Sequence, residues 1–546
     1  MKVVLIQPPV QDFYNTDIRL QPIGLSYLKS AVQMHVPEAD VIIKDYHAGY
    51  RRKTIPLPAE LSYLKDYYPV ADKSPFSLFH QYYHFGASFD LIGTEIRDLK
   101  PDLVGISSLF TPYYREALNV ARVIKDSMNI PIVMGGPHVS EAPESVLSSP
   151  AVDYVICGEG EKPFVELIRY LRGMVPLQDV PGLGYKKDGT LHFNPVTDNY
   201  PVDQLPFPDL SDSPPARYHI AGKPLAFMIT SRGCPHHCSF CSVNMTFGNR
   251  HRRRSVNNVI EEIKQRYQEG YRVIDFEDDN LTYHKDDFRE LCGRLITMFP
   301  DREMKFVAMN GISYMSLDED ILELMFSTGF SELNLALVSA DTSIRRKVQR
   351  PHTLDAYAGI VNKAFKIGFK TVSYQILGLP DETLESMVQT LAYNARLPVL
   401  LGASPFYRSP KAPLSKGRHF SEEDFVRARL SALAAESDSF SREDIYTLFV
   451  STRIINFLKG LTLPESSDLN ELLHQTWTEE RVRIGMELLK ELMHSRTLYF
   501  QTSQGKVANR KFRTDLFLNL IQEAGSIACQ NGKRINTGTF QAAPCI

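Results

Sequence analysis

The chain has 546 residues, 43% of them hydrophobic and 23% charged, with a formal net charge of −3. That length is too great for one hydrophobic core and implies roughly two to four globular domains, and the charge gives no electrostatic reason to expect a nucleic-acid partner. Three of the seven cysteines fall in one short loop, while Cys157, Cys292, Cys529 and Cys545 are scattered, which is no disulfide framework. The start, MKVVLIQPP, reads as a buried strand too short for a signal peptide or anchor, and no uncharged run reaches membrane-spanning length. A cytoplasmic protein without a membrane span is expected.

Over about the first 170 residues, short apolar runs alternate with amphipathic helices, the pattern of a parallel sheet wrapped by helices. Strands are predicted at 3–7, 40–46, 103–108, 130–136 and 154–158, and helices near Gly24–His35, Thr111–Ser127 and Lys162–Arg172. Residues 50–90, rich in Tyr, Phe, His and Pro, read as an insertion over the ligand edge of the sheet or as a plain structured loop. This doubly wound, Rossmann-like α/β unit is assigned to residues 1–175, and the proline-rich stretch 176–220 to a linker with a small hairpin. A second series of strands follows at 224–233, 272–280, 303–310, 332–340, 371–380 and 398–406. Six strands with helices between them predict a partial (β/α)6 barrel over 221–415, its active site at the strand C-termini. Residues 416–546 read as mostly helical, with capping-box starts at Ser421–Asp424 and Thr478–Glu480 and a hairpin in TLYFQTSQGKVANRKF.

The loop SRGCPHHCSFCSV carries Cys234, Cys238 and Cys241 at C-x3-C-x2-C spacing, just after the first barrel strand. Three thiolates on one short loop suit an iron–sulfur cluster whose fourth iron stays open to an outside ligand. A structural zinc site, completed by His236 or His237, is the alternative, although zinc sites usually use two separated ligand pairs. Phe240 would shield the cluster. The loop resembles the cluster motif of the radical S-adenosylmethionine (SAM) enzymes, in which the open iron chelates SAM. That resemblance implies a [4Fe-4S] cluster and SAM as cofactors.

The same resemblance places other residues at strand ends. Glu277, Asp278 and Asp279 correspond to the family's glycine–glycine–glutamate site and would take the SAM ammonium group. QILGLP closely resembles the adenine-binding G-x-I-x-G-L-P motif, with Ile376 against the adenine and Gly378 and Pro380 shaping a close backbone approach. On the fourth strand Val338 stands where relatives often carry the glutamate of G-x-E-S, leaving Ser339 as the ribose contact. In RRKVQRPHT, Arg345 or Arg350 would pair the SAM carboxylate, Arg350 being the one assigned; a surface arginine is the alternative. The sixth strand ends in SPFYRSP where many relatives show P-Y-P-G-T, a departure near the substrate side. The run Arg250–Arg254 precedes a helix capped near Ser255 and is assigned to local structure or anion contact.

Doubly wound sheets bind ligands outside the strand C-termini, where strand order reverses. Ser107-x-Leu109 followed by Gly135-Gly136 resembles two of three elements of the cobalamin-binding fold, the serine touching the nucleotide tail and the glycines opening its slot. The third element, an aspartate–x–histidine–x–x–glycine, is not intact: Asp45-Tyr46-His47-Ala48-Gly49 is one residue short and follows the second strand. His47 is therefore read as structural, and cobalamin is expected base-off. With Gln7-Pro8, Pro137 and Gly158-Glu159 added, residues 1–410 or so resemble the cobalamin-dependent radical SAM enzymes, beside anaerobic methylases and the bacteriochlorophyll ring cyclase. A doubly wound domain that binds nothing is the plain alternative.

This resemblance implies an enzyme that cleaves SAM to a 5′-deoxyadenosyl radical and methylates an unactivated carbon by way of cobalamin. Radical cyclisation, rearrangement or oxidation without methyl transfer is a second reading, and a non-catalytic cobalamin or SAM sensor a third. A one-electron reductant such as flavodoxin or ferredoxin is the implied partner. The sequence does not identify the substrate.

Overall fold

The computed structural model describes residues 1–14, 20–350 and 352–537; Cys545 lies outside them. The strongest apolar runs become strands, because a strand covered on both faces needs no alternation. β1 (Lys2–Gln7), β2 (Asp40–Asp45), β3 (Leu103–Ser107), β4 (Ile132–Gly135) and β5 (Tyr154–Ile156) form a parallel sheet in the order β5-β4-β3-β1-β2. Val3, Leu5 and Leu103 pack under the helices Ile23–His35 and Glu161–Leu171. Val4, Ile6 and Val104 pack under Phe89–Leu99 and Tyr114–Ser127. Phe89–Leu99 is a helix beyond the expected three, started by the Ser88 side chain, which accepts from Leu91 N. Strand order reverses between β1 and β3, and that crevice is where Gln7 and Ser107 end their strands.

The proline-rich stretch is only partly a linker. β6 (Leu183–Lys187) and β7 (Thr190–Phe193) form the expected hairpin, and it adds antiparallel to β5, extending the first sheet. The aromatic heart of residues 50–90 does not lie over the ligand edge. Tyr67 packs on Tyr446 (5.2 Å between ring centroids) and Phe76 on Phe457 (5.4 Å), while Tyr63 and Tyr68 donate to the Ala432 and Ser431 carbonyls at 2.6 and 2.9 Å. This insertion joins the first sheet's unit to the C-terminal helices.

β8 (Lys223–Met228), β9 (Val273–Phe276) and β10 (Lys305–Val307) pair in parallel, as do β11 (Glu332–Val338), β12 (Lys370–Leu377) and β13 (Leu400–Pro405). Single parallel bridges, Phe306 with Phe330 and Ile312 with Leu335, join the two halves, so the barrel is partial and open. Phe276, Phe306 and Phe330, with centroids 5.8–6.0 Å apart, fill the seam where the ladder lapses. Gln21 ties the first unit to the barrel by accepting from Phe227 N (2.6 Å) and donating to Leu225 O (3.4 Å).

The free edge of β13 is covered by the helix Arg442–Lys459, whose Asn456 amide pairs both Leu401 N and Leu401 O at 2.8 Å. The capping box at Ser421 forms, but the helix Glu480–Ser495 starts after Glu479 with no side-chain cap. The hairpin Tyr499–Thr502 with Gly505–Ala508 is present. Among the described residues, no helix is long and apolar enough to cross a membrane.

Candidate active site

A cavity of about 240 Å³ opens at the crevice between β1 and β3. Gln7, Ser107 and Leu109 line it from two strand ends, and Gly135, Gly136, Pro137, Gly158 and Glu159 from the next two. Gly136 has φ +113°, and a Cβ there would stand 2.7 Å from Ser108 O, so the turn requires glycine. A Cβ on Gly135 would meet nothing nearer than Ile156 O at 3.8 Å; the absent side chain is what leaves the space. Gln7 Oε1 is buried there without a hydrogen-bond partner among the described residues, a group a bound ligand would satisfy. Pro8 is buried behind the edge and His47 packs near Phe85; neither lines the cavity.

The opposite wall comes from the barrel. Arg232, Thr246 and Phe247 bracket the cysteine loop and line the same cavity. Arg232, 4% exposed, donates to Glu159 Oε2 (2.7 Å) and Glu161 Oε1 (2.6 Å), and Arg252 also pairs with Glu159. Glu159, expected to touch cobalamin, is thus spent on an ion-pair lock between the two halves. Burial pushes Glu161 upward, but Arg232 outweighs it and holds the carboxyl below the usual range. Sequence reading missed Arg232, whose partners Glu159 and Glu161 lie 73 and 71 residues away in the chain.

The cysteine loop is held from below. Asp278, 2% exposed, accepts from Thr230 N (3.1 Å), Thr230 Oγ1 (2.7 Å) and the Ser231 hydroxyl. Both of its oxygens accept, so Asp278 acts as a strut of the turn. Asp279 Oδ2 accepts from Gly233 N (2.9 Å), and burial pushes its carboxyl up to about 6. Glu277 is half-buried beside it, its N–H on Met228 O at 2.8 Å. Phe240 packs on the apolar cluster of Val338, Ile344, Val348 and Leu379. The Cys241 thiol is pushed up to about 11, chiefly by burial and in smaller part by the neighbouring Cys238 and Cys234. Among the described residues no three metal-binding side chains are closed to ligating distance. The donor set, three soft thiols on one loop, is nonetheless the set that a site-differentiated cluster takes.

Other expected SAM contacts sort differently. Ser339 is fully buried, its hydroxyl toward Thr390 Oγ1 (3.3 Å) and Glu382 (3.5 Å). Val338 has φ +73°, at a register shift in β11; a β-branched residue there stores about 1–3 kcal/mol of strain. Arg345 is buried, donating to Ser339 O, Ala340 O and His352 O at 3.1, 2.5 and 2.9 Å, and so builds its own turn. Arg350 keeps a buried Nε with no partner among the described residues. Gly378 (φ +86°) needs to be glycine because a Cβ would sit 2.8 Å from Ala435 Cβ, a packing demand and not a ligand's. Its N–H and that of Leu379 donate to Glu382 at 2.9 and 3.0 Å. Glu382, missed in the sequence, pins the turn that carries Pro380, and burial pushes its carboxyl up to about 8. Ile376 is half-buried and packs on the same apolar cluster as Phe240.

Residues 228–393 match the radical SAM superfamily and residues 83–168 the B12 binding domain. An uncharacterized methyltransferase of Pyrococcus horikoshii is 30% identical over 407 residues, spanning 73% of this chain and 79% of that protein. Cytidylyl-2-hydroxyethylphosphonate methyltransferase of Streptomyces wedmorensis is 26% identical over 437 residues, 72% of this chain and 76% of that one. The cobalamin-dependent SAM radical enzyme OxsB, solved with aqua-cobalamin and SAM, shares the fold with TM-score 0.56 at 14% identity, over 96% of this chain and 78% of that chain. The chain belongs to the cobalamin-binding radical SAM enzymes. Its cofactors are accordingly a [4Fe-4S] cluster, SAM and cobalamin.

Proposed function

We propose that the chain is a methyltransferase placing a methyl group on an unactivated carbon. The observation that carries this reading is the shared cavity, in which the glycine-lined sheet edge faces the base of the cysteine loop across one space. When bound, the cofactors supply one-electron cleavage of SAM to a carbon-centred radical and a transferable methyl group. Cys234, Cys238 and Cys241 hold the cluster. Asp279 and Glu277 accept the SAM ammonium, Arg350 pairs its carboxylate, and Ile376 with the Gly378–Pro380 main chain meets the adenine. Gln7, Ser107, Leu109, Gly135, Gly136, Pro137 and Gly158 hold the cobalamin tail. Residues 1–175 supply the sheet side and 221–415 the barrel side, while 176–220 and 416–546 fix their separation. The buried Arg232–Glu159–Glu161 lock keeps that separation constant, which orients the reacting groups and excludes water.

The test is anaerobic reconstitution with SAM carrying a deuterated methyl group, incubated with small-molecule extracts. A product that gains the labelled methyl, formed with 5′-deoxyadenosine, is expected. 5′-Deoxyadenosine without any labelled product would move the chain to cyclisation or oxidation chemistry.

A further inference from the structure

We propose that Glu141 is a positioning residue that couples the two cofactor sites, so that filling the glycine-lined slot is felt at the cysteine loop and the reverse. The inference rests on where the cofactors are placed above and not on the reaction they perform. Gly136 opens the short helix Pro137–Glu141. Near its end Ser140 ties the two glycine turns of the slot together: its hydroxyl donates to Gly136 O (3.2 Å) and accepts from Gly158 N (2.9 Å). Lys411, beyond β13, donates to the Ser140 carbonyl (3.2 Å). Glu141, 7% exposed, carries the connection onward. Its carboxylate accepts from the hydroxyl of Ser409, also beyond β13, and from that of Ser242, the residue directly after Cys241.

A second contact runs beside the first. The helix Val243–Phe247 follows Ser242 and lies against Pro137–Glu141, and a Cβ on Gly158 would stand 3.7 Å from its Thr246 carbonyl. Arg232, two residues before Cys234, is held by Glu159 and Glu161, so the cysteine loop is fastened to the sheet unit at both ends. The two fastenings differ in kind. Glu159 and Glu161 meet a fixed charge and form a lock. Glu141 receives two neutral hydroxyls, and only the one on Ser242 leads to the iron ligands. Hydrogen bonds to a buried carboxylate hold within a narrow range of distance, so any shift of the Gly136 turn on ligand uptake passes to Cys241 through two side chains. Coupling between sites is reciprocal: whatever factor cobalamin exerts on the loop, the loaded loop exerts on cobalamin affinity.

The test follows hydroxocobalamin binding by absorbance in the full chain, before and after anaerobic reconstitution of the cluster. In wild type the reconstituted protein should bind about fivefold or more tightly, a ratio that saturating cobalamin overrides, so the slot still fills without iron. Glu141→Ala and Ser242→Ala should each bring the ratio to about 1 with iron content near wild type. Ser409→Ala, which spares the Ser242 arm, and Glu141→Gln, whose amide oxygen still accepts hydroxyls, should keep most of it. A merely structural role would weaken both forms together and leave their ratio alone. Equal affinity of the two wild-type forms, a ratio that survives in both Glu141→Ala and Ser242→Ala, or a loss in Ser409→Ala as large as in Ser242→Ala would each overturn the proposal. Should Glu141→Ala fail to fold, Ser242→Ala against Ser409→Ala decides. Transfer of the labelled methyl with no ratio in any protein refutes the coupling alone, and the ratio without a labelled product refutes the methyltransferase reading alone.

Discussion

On the sheet side of the chamber, ligand space comes from what the chain leaves out. Gly135 and Gly136 withhold side chains, and Gln7 leaves an acceptor unpaired among the described residues. On the barrel side several of the polar groups are already committed. Asp278 holds Thr230 and Ser231, Ser339 faces Thr390 and Glu382, and Arg345 binds carbonyls of its own turn. One side is a slot cut in advance; the other is a loop braced so that few groups remain to reach outward. A buried carboxylate at a strand end is therefore weak evidence of a ligand until its hydrogen bonds have been counted.

The largest effect that would break this contrast falls on the loop. Replacing Cys234, Cys238 and Cys241 together by alanine should abolish iron binding and SAM cleavage, leaving cobalamin uptake by the sheet intact. Iron analysis beside cobalamin absorbance checks it, and loss of both cofactors would mean that the two sides are not independently built. Next, Gly135→Leu should fill the slot and weaken cobalamin binding by about 100-fold or more, with thermal stability near wild type. Retained cobalamin would place the tail elsewhere.

A finer contrast separates two neighbouring acids. Asp278→Asn sets an amide N–H where three donors point, which should cost about 1–3 kcal/mol of stability and lower iron loading. Asp279→Asn should leave stability near wild type and raise the SAM concentration for half-maximal 5′-deoxyadenosine formation by about 10- to 100-fold. Identical behaviour of the two variants in melting and in kinetics would remove the distinction between strut and ligand.

The smallest effect concerns Glu382. Its carboxyl is raised in the folded state from 4.5 to about 8, chiefly by burial. The folded protein therefore holds a proton that the unfolded chain releases, and this contribution is fully present below about pH 4.5 and lost as pH rises through about 8. Glu382→Gln keeps an acceptor but cannot ionise, so its melting temperature relative to wild type should climb between those limits. A pH-independent difference would show that Glu382 does not titrate in that window.

Strands were legible because runs such as VVLIQ and LVGIS are continuous and apolar, and the cysteine loop because its spacing is specific. The glycines and Ser107 were legible as strand-end residues, which topology then gathered to one crevice. What escaped depends on partners far away in sequence. Arg232 meets Glu159 and Glu161, Gln21 meets Phe227, and Tyr67 of the insertion meets Tyr446; no local periodicity announces such pairs. Asp278 and Ser339 sit at the expected strand ends, but their hydrogen bonds to near neighbours were not legible in the sequence.

Asn456 has a consequence for the protein before its cofactors arrive. A partial barrel ends in an unpaired strand, the kind of edge on which another chain can add and start an aggregate. Here the outward-facing main chain of Leu401 is already occupied by the Asn456 amide, and Pro405, also facing outward, has no N–H to offer. A newly made chain waiting for iron and cobalamin thus carries its own stopper against edge-to-edge polymerisation. Removing that amide should show itself first as lost solubility of the cofactor-free protein, ahead of any change in turnover.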